Sequence, residues 1–251
     1  MSGLSNWKKR LLAGVLALAA LAIAAVPYWP WDTPEEVQNV LGEAKIPDGP
    51  YVALTFDDGP RADTTPVLLD GLAQRGVHAT FFVIGENVSG NELLIQRMAG
   101  EGHQIGLHTF HHKSLTALNS SDFYLEVNEL RVILTSLIGQ ERFMLRPPYG
   151  IIDPAEQDWA AAPIILWSVD PADWSDRDTE RQVSAIVDNA KDGDIILLHD
   201  IYAASVETAL QAVDALMAKG YHFVTVEELF AIRCKTPENG KVYRKLPPPS
   251  E

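Results

Sequence analysis

Two adjacent carboxylates stand in Thr55-Phe56-Asp57-Asp58-Gly59-Pro60, directly after an apolar run. Asp and Gly are ordinary turn residues, so a plain turn accounts for Asp58-Gly59-Pro60 by itself; the alternative is a pair of acids presented to a ligand. In His108-Thr109-Phe110-His111-His112 the two outer histidines are four apart. That spacing predicts one face of a helical turn shared by His108 and His112, with His111 on another face. Two imidazoles and one of the aspartates suit a catalytic divalent ion, because zinc commonly takes three such ligands and keeps a position open for water. A histidine-rich loop that binds nothing is the plain alternative.

Three further segments carry polar groups of the same kind. Arg146-Pro147-Pro148-Tyr149-Gly150 stiffens the chain behind one arginine, whose fork could hold a carboxylate ionised and aimed; an arginine paired in a surface loop is the simpler reading. Trp167-Ser168-Val169-Asp170-Pro171-Ala172-Asp173-Trp174 and Ile195-Ile196-Leu197-Leu198-His199-Asp200 each end an apolar run in acid. His199 reads either as a satisfied core histidine or, with Asp170 or Asp173 as its partner, as a general acid at neutral pH.

The elements that must position these groups follow from the apolar periodicity. Strand-like runs are predicted over Tyr51 to Phe56, Ala79 to Ile84, Gln104 to Leu107, Phe143 to Leu145, Ile164 to Val169, Ile195 to Leu198 and Phe223 to Val226. Helical spacing is predicted around Val67 to Arg75, Leu93 to Glu101, Asp122 to Ile138, Glu180 to Asn189 and Ser205 to Lys219. Alternating units of this kind imply an α/β fold with a parallel sheet, open or closed into a barrel. Asp57, His108, Arg146, Asp170 and His199 each directly follow one of the apolar runs, so they would converge at the carboxyl ends of the strands, where β/α barrels build active sites.

Taken together and in this order, Thr-Phe-Asp-Asp-Gly-Pro, His-Thr-x-x-His, Arg-Pro-Pro-Tyr-Gly, Asp-x-x-Asp-Trp and Leu-Leu-His-Asp resemble the polysaccharide deacetylase family, also called the Nod-factor deacetylase homology domain or carbohydrate esterase family four. The resemblance covers roughly residues 49–233. It implies a distorted, incomplete (β/α) barrel that hydrolyses acetyl groups on chitin, peptidoglycan or related polymers, or O-acetyl on xylan. By resemblance, Asp58, His108 and His112 bind a divalent metal, zinc in the first instance, with cobalt or another transition metal as alternatives. Asp57 is then the general base that takes the proton of the attacking water, Arg146 tethers it, and His199 is the general acid with Asp173 setting its charge. Trp174 and Leu197 are similar to the residues that wall the pocket for the acetyl methyl, and the Tyr149 backbone N–H matches the oxyanion donor. Leu107 stands where an asparagine often precedes the first histidine, which bears on the hydrogen bonding behind the metal rather than on the ligands. His103 and His222 match structural positions.

Composition narrows the setting. Lys8, Lys9 and Arg10 precede an apolar run from Leu11 to Val26, and no acid lies in residues 1–31, which are expected to be a signal peptide or an N-terminal membrane anchor. Ala22-Ile23-Ala24 offers a cleavage site; Trp7, Tyr28, Trp29 and Trp31 flank the run as membrane-interface aromatics do. Either way the body is expected outside the cytoplasm. Residues 32–48 read as a proline-punctuated linker, 49–233 as the catalytic domain and 234–251 as a flexible tail. Of 20 Lys and Arg, the leader holds three, leaving 17 against 34 Asp and Glu, a net −17 that makes nucleic acid an implausible partner. Cys234 is the only cysteine, which excludes an internal disulfide and a cysteine-based metal site. The expected partner is a polysaccharide, with the membrane added if the leader is uncleaved and no protein partner implied. A catalytically silent glycan-binding module would not need both Asp57 and His199 around a metal triad, and a two-metal phosphoesterase would bring further ligands.

Overall fold

The computed structural model describes residues 48–248. The expected leader over 1–31 and nearly all of the linker over 32–48 lie outside the described residues. Among the described residues no helix is long and apolar enough to cross a membrane.

The chain runs β1 (Tyr51–Asp57), α1 (Thr65–Arg75), β2 (Thr80–Val83), α2 (Gly85–Val88), α3 (Glu92–Gly100), β3 (Gln104–Leu107), α4 (Ser120–Ile138), α5 (Pro154–Trp159), β4 (Ile164–Ile165), α6 (Thr179–Asn189), β5 (Ile195–His199), α7 (Ala203–Ala218), β6 (His222–Val224), α8 (Val226–Ile232) and β7 (Val242–Tyr243). Every residue of β1 is buried, as expected of a central parallel strand covered on both faces. Helix boundaries follow local chemistry. Proline opens α1, and Gly76, at φ 61°, closes it by donating its N–H to the carbonyls of Leu72 and Ala73. Asn119 caps α4 by accepting from the amides of Ser121 and Asp122. A capping box of Thr225 and Glu228 turns Val226 into the start of α8, where the sequence had suggested the end of a strand.

The main sheet has the order β3-β2-β1-β5, with β6 also pairing β1, and every pairing is parallel. Beyond β3 the circuit continues only through single bridges, Leu107 to Leu145, Leu145 to Ile164 and Val169 to Ile196. The fold is therefore α/β with a parallel sheet that bends toward a barrel without closing as a regular one. The runs over 143–145 and 164–169, predicted as full strands, shrink to these bridges and the two residues of β4. Register sets the site: Asp57 lies opposite His199 on β5 and opposite Phe82 on β2, so the polar strand ends share one level.

Of the segment after residue 233, expected to be a flexible tail, residues 234–248 are instead built into the fold. Strand β7 pairs with β4 through Ile164–Val242 and Ile165–Tyr243, Leu246 is 1% exposed, and its amide donates to the Gly193 carbonyl at 2.7 Å. The physical reason lies in β4. The amides of Ile164 and Leu166 find their acceptors in the Lys241 and Tyr243 carbonyls, and without β7 this buried edge would be left unpaired.

Candidate active site

Asp57 and Asp58 leave β1 in different directions because Asp58 has φ 72°, a left-handed bend that turns its carboxylate away from the strand. The Asp58 carbonyl accepts from Asn87 Nδ2 at 2.7 Å, which fixes the bend. Across from it, the predicted helical turn over 108–112 is not formed. Thr109 and His112 have φ of 64° and 54°, and this loop, not helical periodicity, brings the two imidazoles together with ring centroids 5.0 Å apart.

His108 Nδ1 lies 2.7 Å from the Arg146 carbonyl, which only accepts, so Nδ1 carries the proton and Nε2 presents a lone pair. That Nε2 faces Asp58 Oδ1 at 3.4 Å, and His112 Nε2 faces the same oxygen at 3.3 Å. Asp58 Oδ1 is buried without a hydrogen-bond partner. An oxygen and two nitrogens each about 2.1 Å from a tetrahedral ion would stand about 3.4 Å apart. The three side chains therefore fit a divalent cation, and their ligand atoms all lie within 4.8 Å of one another. The Leu107 departure is absorbed by the backbone, since the Arg146 carbonyl serves as the acceptor behind His108.

Asp57 is 3% exposed, and its Oδ1 accepts from Arg146 Nη1 at 2.8 Å. Arg146 is wholly buried: Nε donates to the Ile165 carbonyl at 3.1 Å, Nη2 to the Leu166 carbonyl at 3.3 Å, Nη1 also to Thr55 Oγ1 at 2.8 Å, and its guanidinium lies 4.1 Å from the centre of the Phe82 ring. Asp57 Oδ2 is 3.7 Å from His108 Nε2, so the aimed carboxylate borders the cluster. On β5, His199 Nδ1 bonds Asp173 Oδ1 at 2.8 Å while the His199 amide donates to Asp173 Oδ2 at 2.9 Å. Of the two acids proposed for this role, Asp173 holds the histidine; Asp170 caps the Ala172 amide and is exposed. Burial pulls the His199 pKa down, but Asp173 outweighs it, with help from Asp57 and Asp58, and holds it up to about 9. Burial likewise opposes ionisation of Asp58, yet the imidazoles of His108, His199 and His112 around it keep its carboxyl below the ordinary carboxylate range.

Tyr149, at φ 62°, sets its ring edge against His112 with centroids 4.9 Å apart. Trp174 is 57% exposed beside Asp173, and Leu197 is buried two residues before His199 on β5. Nine of the ten residues given roles by the resemblance thus fall at the carboxyl ends of the strands or in the loops that follow them, and Leu197 lies mid-strand on β5. His103 and His222 lie at the opposite ends of β3 and β6; His103 Nδ1 accepts from the Ala79 amide at 3.1 Å, and His222 stacks on Tyr51.

A sequence profile of the polysaccharide deacetylase family matches residues 44–162. A peptidoglycan-N-acetylglucosamine deacetylase of Bacillus cereus is 41% identical over 188 residues, covering 71% of this chain and 87% of that protein. The chain belongs to the polysaccharide deacetylase family. Peptidoglycan-N-acetylmuramic acid deacetylase PdaC of Bacillus subtilis is 37% identical over 191 residues, 76% of this chain and 41% of PdaC. This chain thus spans about two fifths of the length of that relative. The solved PdaC structure matches with a TM-score of 0.72, covering 74% of this chain and 92% of that one. A family 4 acetyl xylan esterase from Clostridium thermocellum, solved with a cobalt ion, is 29% identical with a TM-score of 0.74, covering 78% of this chain and 99% of that one.

Two residues at the site are given no role by the sequence, although Asp200 lies in a quoted motif. Asp200, fully buried, bonds Thr65 Oγ1 and lies against Gly59, where an added Cβ would come 2.2 Å from its Oδ1. Glu126 on α4 grips the histidine loop. Its signal was its position, an acid within the buried stripe Phe123, Glu126, Val127, Leu130 and Leu134.

Proposed function

We propose that the chain is a metal-dependent deacetylase of a cell-envelope polysaccharide, acting outside the cytoplasm on N-acetyl groups of peptidoglycan. The observation that carries this reading is the pairing of two aimed groups, Asp57 on Arg146 and His199 on Asp173, at the same level of adjacent strands and around one set of cation ligands. Asp58, His108 and His112 would hold the ion, zinc in the first instance and cobalt as the alternative that the esterase complex supports. When bound, such an ion supplies Lewis-acid chemistry, polarising the acetyl carbonyl and acidifying water.

The chain's own residues supply the rest. Asp57, locked by Arg146, takes the proton of the attacking water. His199, kept protonated at neutral pH by Asp173, passes a proton from its Nε2 to the departing sugar nitrogen. The Tyr149 N–H is the donor for the negative charge that develops on the carbonyl oxygen, and Trp174 and Leu197 shape the apolar seat of the acetyl methyl. The relatives at 36–41% identity named as peptidoglycan deacetylases favour N-acetyl over the O-acetyl chemistry of the xylan esterase at 29%.

The test is acetate release by the purified chain from peptidoglycan, chitin oligomers and acetylxylan, with zinc, with chelator and as Asp57→Ala. Chelator-sensitive release from peptidoglycan that vanishes in the variant is the expected result. Release from acetylxylan alone would replace the substrate, and bound metal with no release from any glycan would replace the activity.

A further inference from the structure

The loop that carries His108 and His112 holds two residues in the left-handed region, Thr109 and His112, neither of which is glycine. Such a conformation is strained for a residue that carries a Cβ and persists only where its surroundings impose it. The loop's polar groups show what imposes it. Its carbonyls at Thr109 and Phe110 accept from the amides of Gly85 and Glu86 at 3.1 and 3.0 Å. Its amides at Phe110 and His111 both donate to Glu126 Oε2, at 3.2 and 2.8 Å. Glu126 Oε1 is 2.9 Å from His111 Nδ1 and 2.8 Å from Lys113 Nζ. The Glu126 side chain is only 4% exposed, and all four of its partners lie in residues 110–113, between and just beyond the two histidines.

We infer that Glu126 is the positioning residue of the metal site: by collecting four N–H donors from one short loop it holds His108 and His112 in ligating geometry before a cation arrives. The inference rests on the reading of Asp58, His108 and His112 as cation ligands. Glu126 touches none of the three. Its single buried carboxylate replaces what would otherwise be two unsatisfied backbone amides in a strained segment. A helix in the protein's frame, not the ion, thereby sets the distance between the imidazoles. Outer partners of metal ligands commonly contribute about 10- to 100-fold in metal affinity, and Glu126 acts on both histidines through one loop.

The experiment is a cobalt titration of the metal-free full-length chain, followed by calorimetry and by visible absorption, for the native protein and for Glu126→Met, Glu126→Gln and His112→Ala. Circular dichroism checks that each variant is folded at the titration temperature. Glu126→Met, which fills the space and accepts nothing, is expected to bind cobalt about 10- to 100-fold more weakly. Glu126→Gln keeps an acceptor oxygen for the two amides and is expected to recover most of that loss. Cobalt affinity in a folded Glu126→Met equal to that of the native protein overturns the role of Glu126 while leaving the ligands intact, provided His112→Ala binds poorly. No cobalt uptake by the native protein overturns the ligand reading itself and this inference with it. A measurement free of variants stands beside these. In the metal-free native protein the amides of Phe110 and His111 are expected to resist hydrogen exchange; free exchange that slows only when cobalt is added would mean that the ion, not Glu126, organises the loop, and would overturn the proposal.

Discussion

Replacing Arg146 by methionine leaves Asp57 as a buried carboxylate with no cationic partner on that side. The guanidinium has four acceptors, Thr55 Oγ1, Asp57 Oδ1 and the carbonyls of Ile165 and Leu166, and no exposure at all. Breaking a buried ion pair by removing one partner costs about 3–5 kcal/mol. His108 Nε2, 3.7 Å from Asp57 Oδ2, is beyond hydrogen-bond distance and replaces only part of that pairing. For a domain of this size, ~3–5 kcal/mol corresponds to a fall in Tm of roughly 6–20 °C. The loss is traceable to the stranded charge, so Asp57→Asn added to Arg146→Met should restore a large part of it. Urea unfolding of the metal-free protein at pH 7, with the four members of the double-mutant cycle, measures both quantities. A cost below ~1 kcal/mol for Arg146→Met, or a further loss on adding Asp57→Asn, would refute the view that Arg146 exists to pair with Asp57 and aim it.

Two further outcomes depend on pH. The His199 pKa is raised above its unfolded value, so the His199–Asp173 pair stabilises fully below about pH 6.5 and its contribution fades as pH rises through about 9. Asp173→Asn should therefore lower stability at pH 6, converge with the native protein near pH 10, and bring the imidazole titration seen by NMR in metal-free protein down from about 9; an unmoved titration would exclude Asp173 as its cause. His103 behaves oppositely: burial, aided by His78, depresses its pKa to about 4, so stability is complete above about 6.5 and is lost as pH falls toward 4. That loss is on the order of 3 kcal/mol, and His103→Asn should flatten it in urea unfolding at pH 7 and 4.5, whereas an unchanged pH slope would place the acid sensitivity elsewhere.

Much of this arrangement was legible in the sequence because strand ends advertise themselves. An apolar run that stops at Asp57 or His199 states both the element and the place where a polar group emerges. The grouping of Asp58 with His108 and His112 was legible as chemistry but not as geometry: a spacing of four suggested a helix, while the chain uses left-handed kinks at Thr109 and His112 that no periodicity encodes. Asp173 was separable from Asp170 by family resemblance, not by spacing, since both follow the same run. Glu126 sits inside a correctly expected helix, yet its partners lie in residues 110–113, and a contact between a helix face and a preceding loop leaves only a misplaced charge as its trace. The C-terminal segment misled because its prolines and polar residues suggested mobility, whereas Val242 and Tyr243 are too short a run to declare a strand.

The central strand has a consequence for how the molecule comes into being. Tyr51 on β1 pairs with His222, Ala53 with Ile195 and Thr55 with Thr80, so the first of the described strands is completed by some of the last. At ribosomal speeds of about 5–20 residues per second, Tyr51 waits roughly 9–34 s for His222. During that interval β1, apolar on both faces, has no complete sheet to join. Until β5 and β6 have emerged, the sheet around β1 is incomplete, and that strand must be kept from other partners.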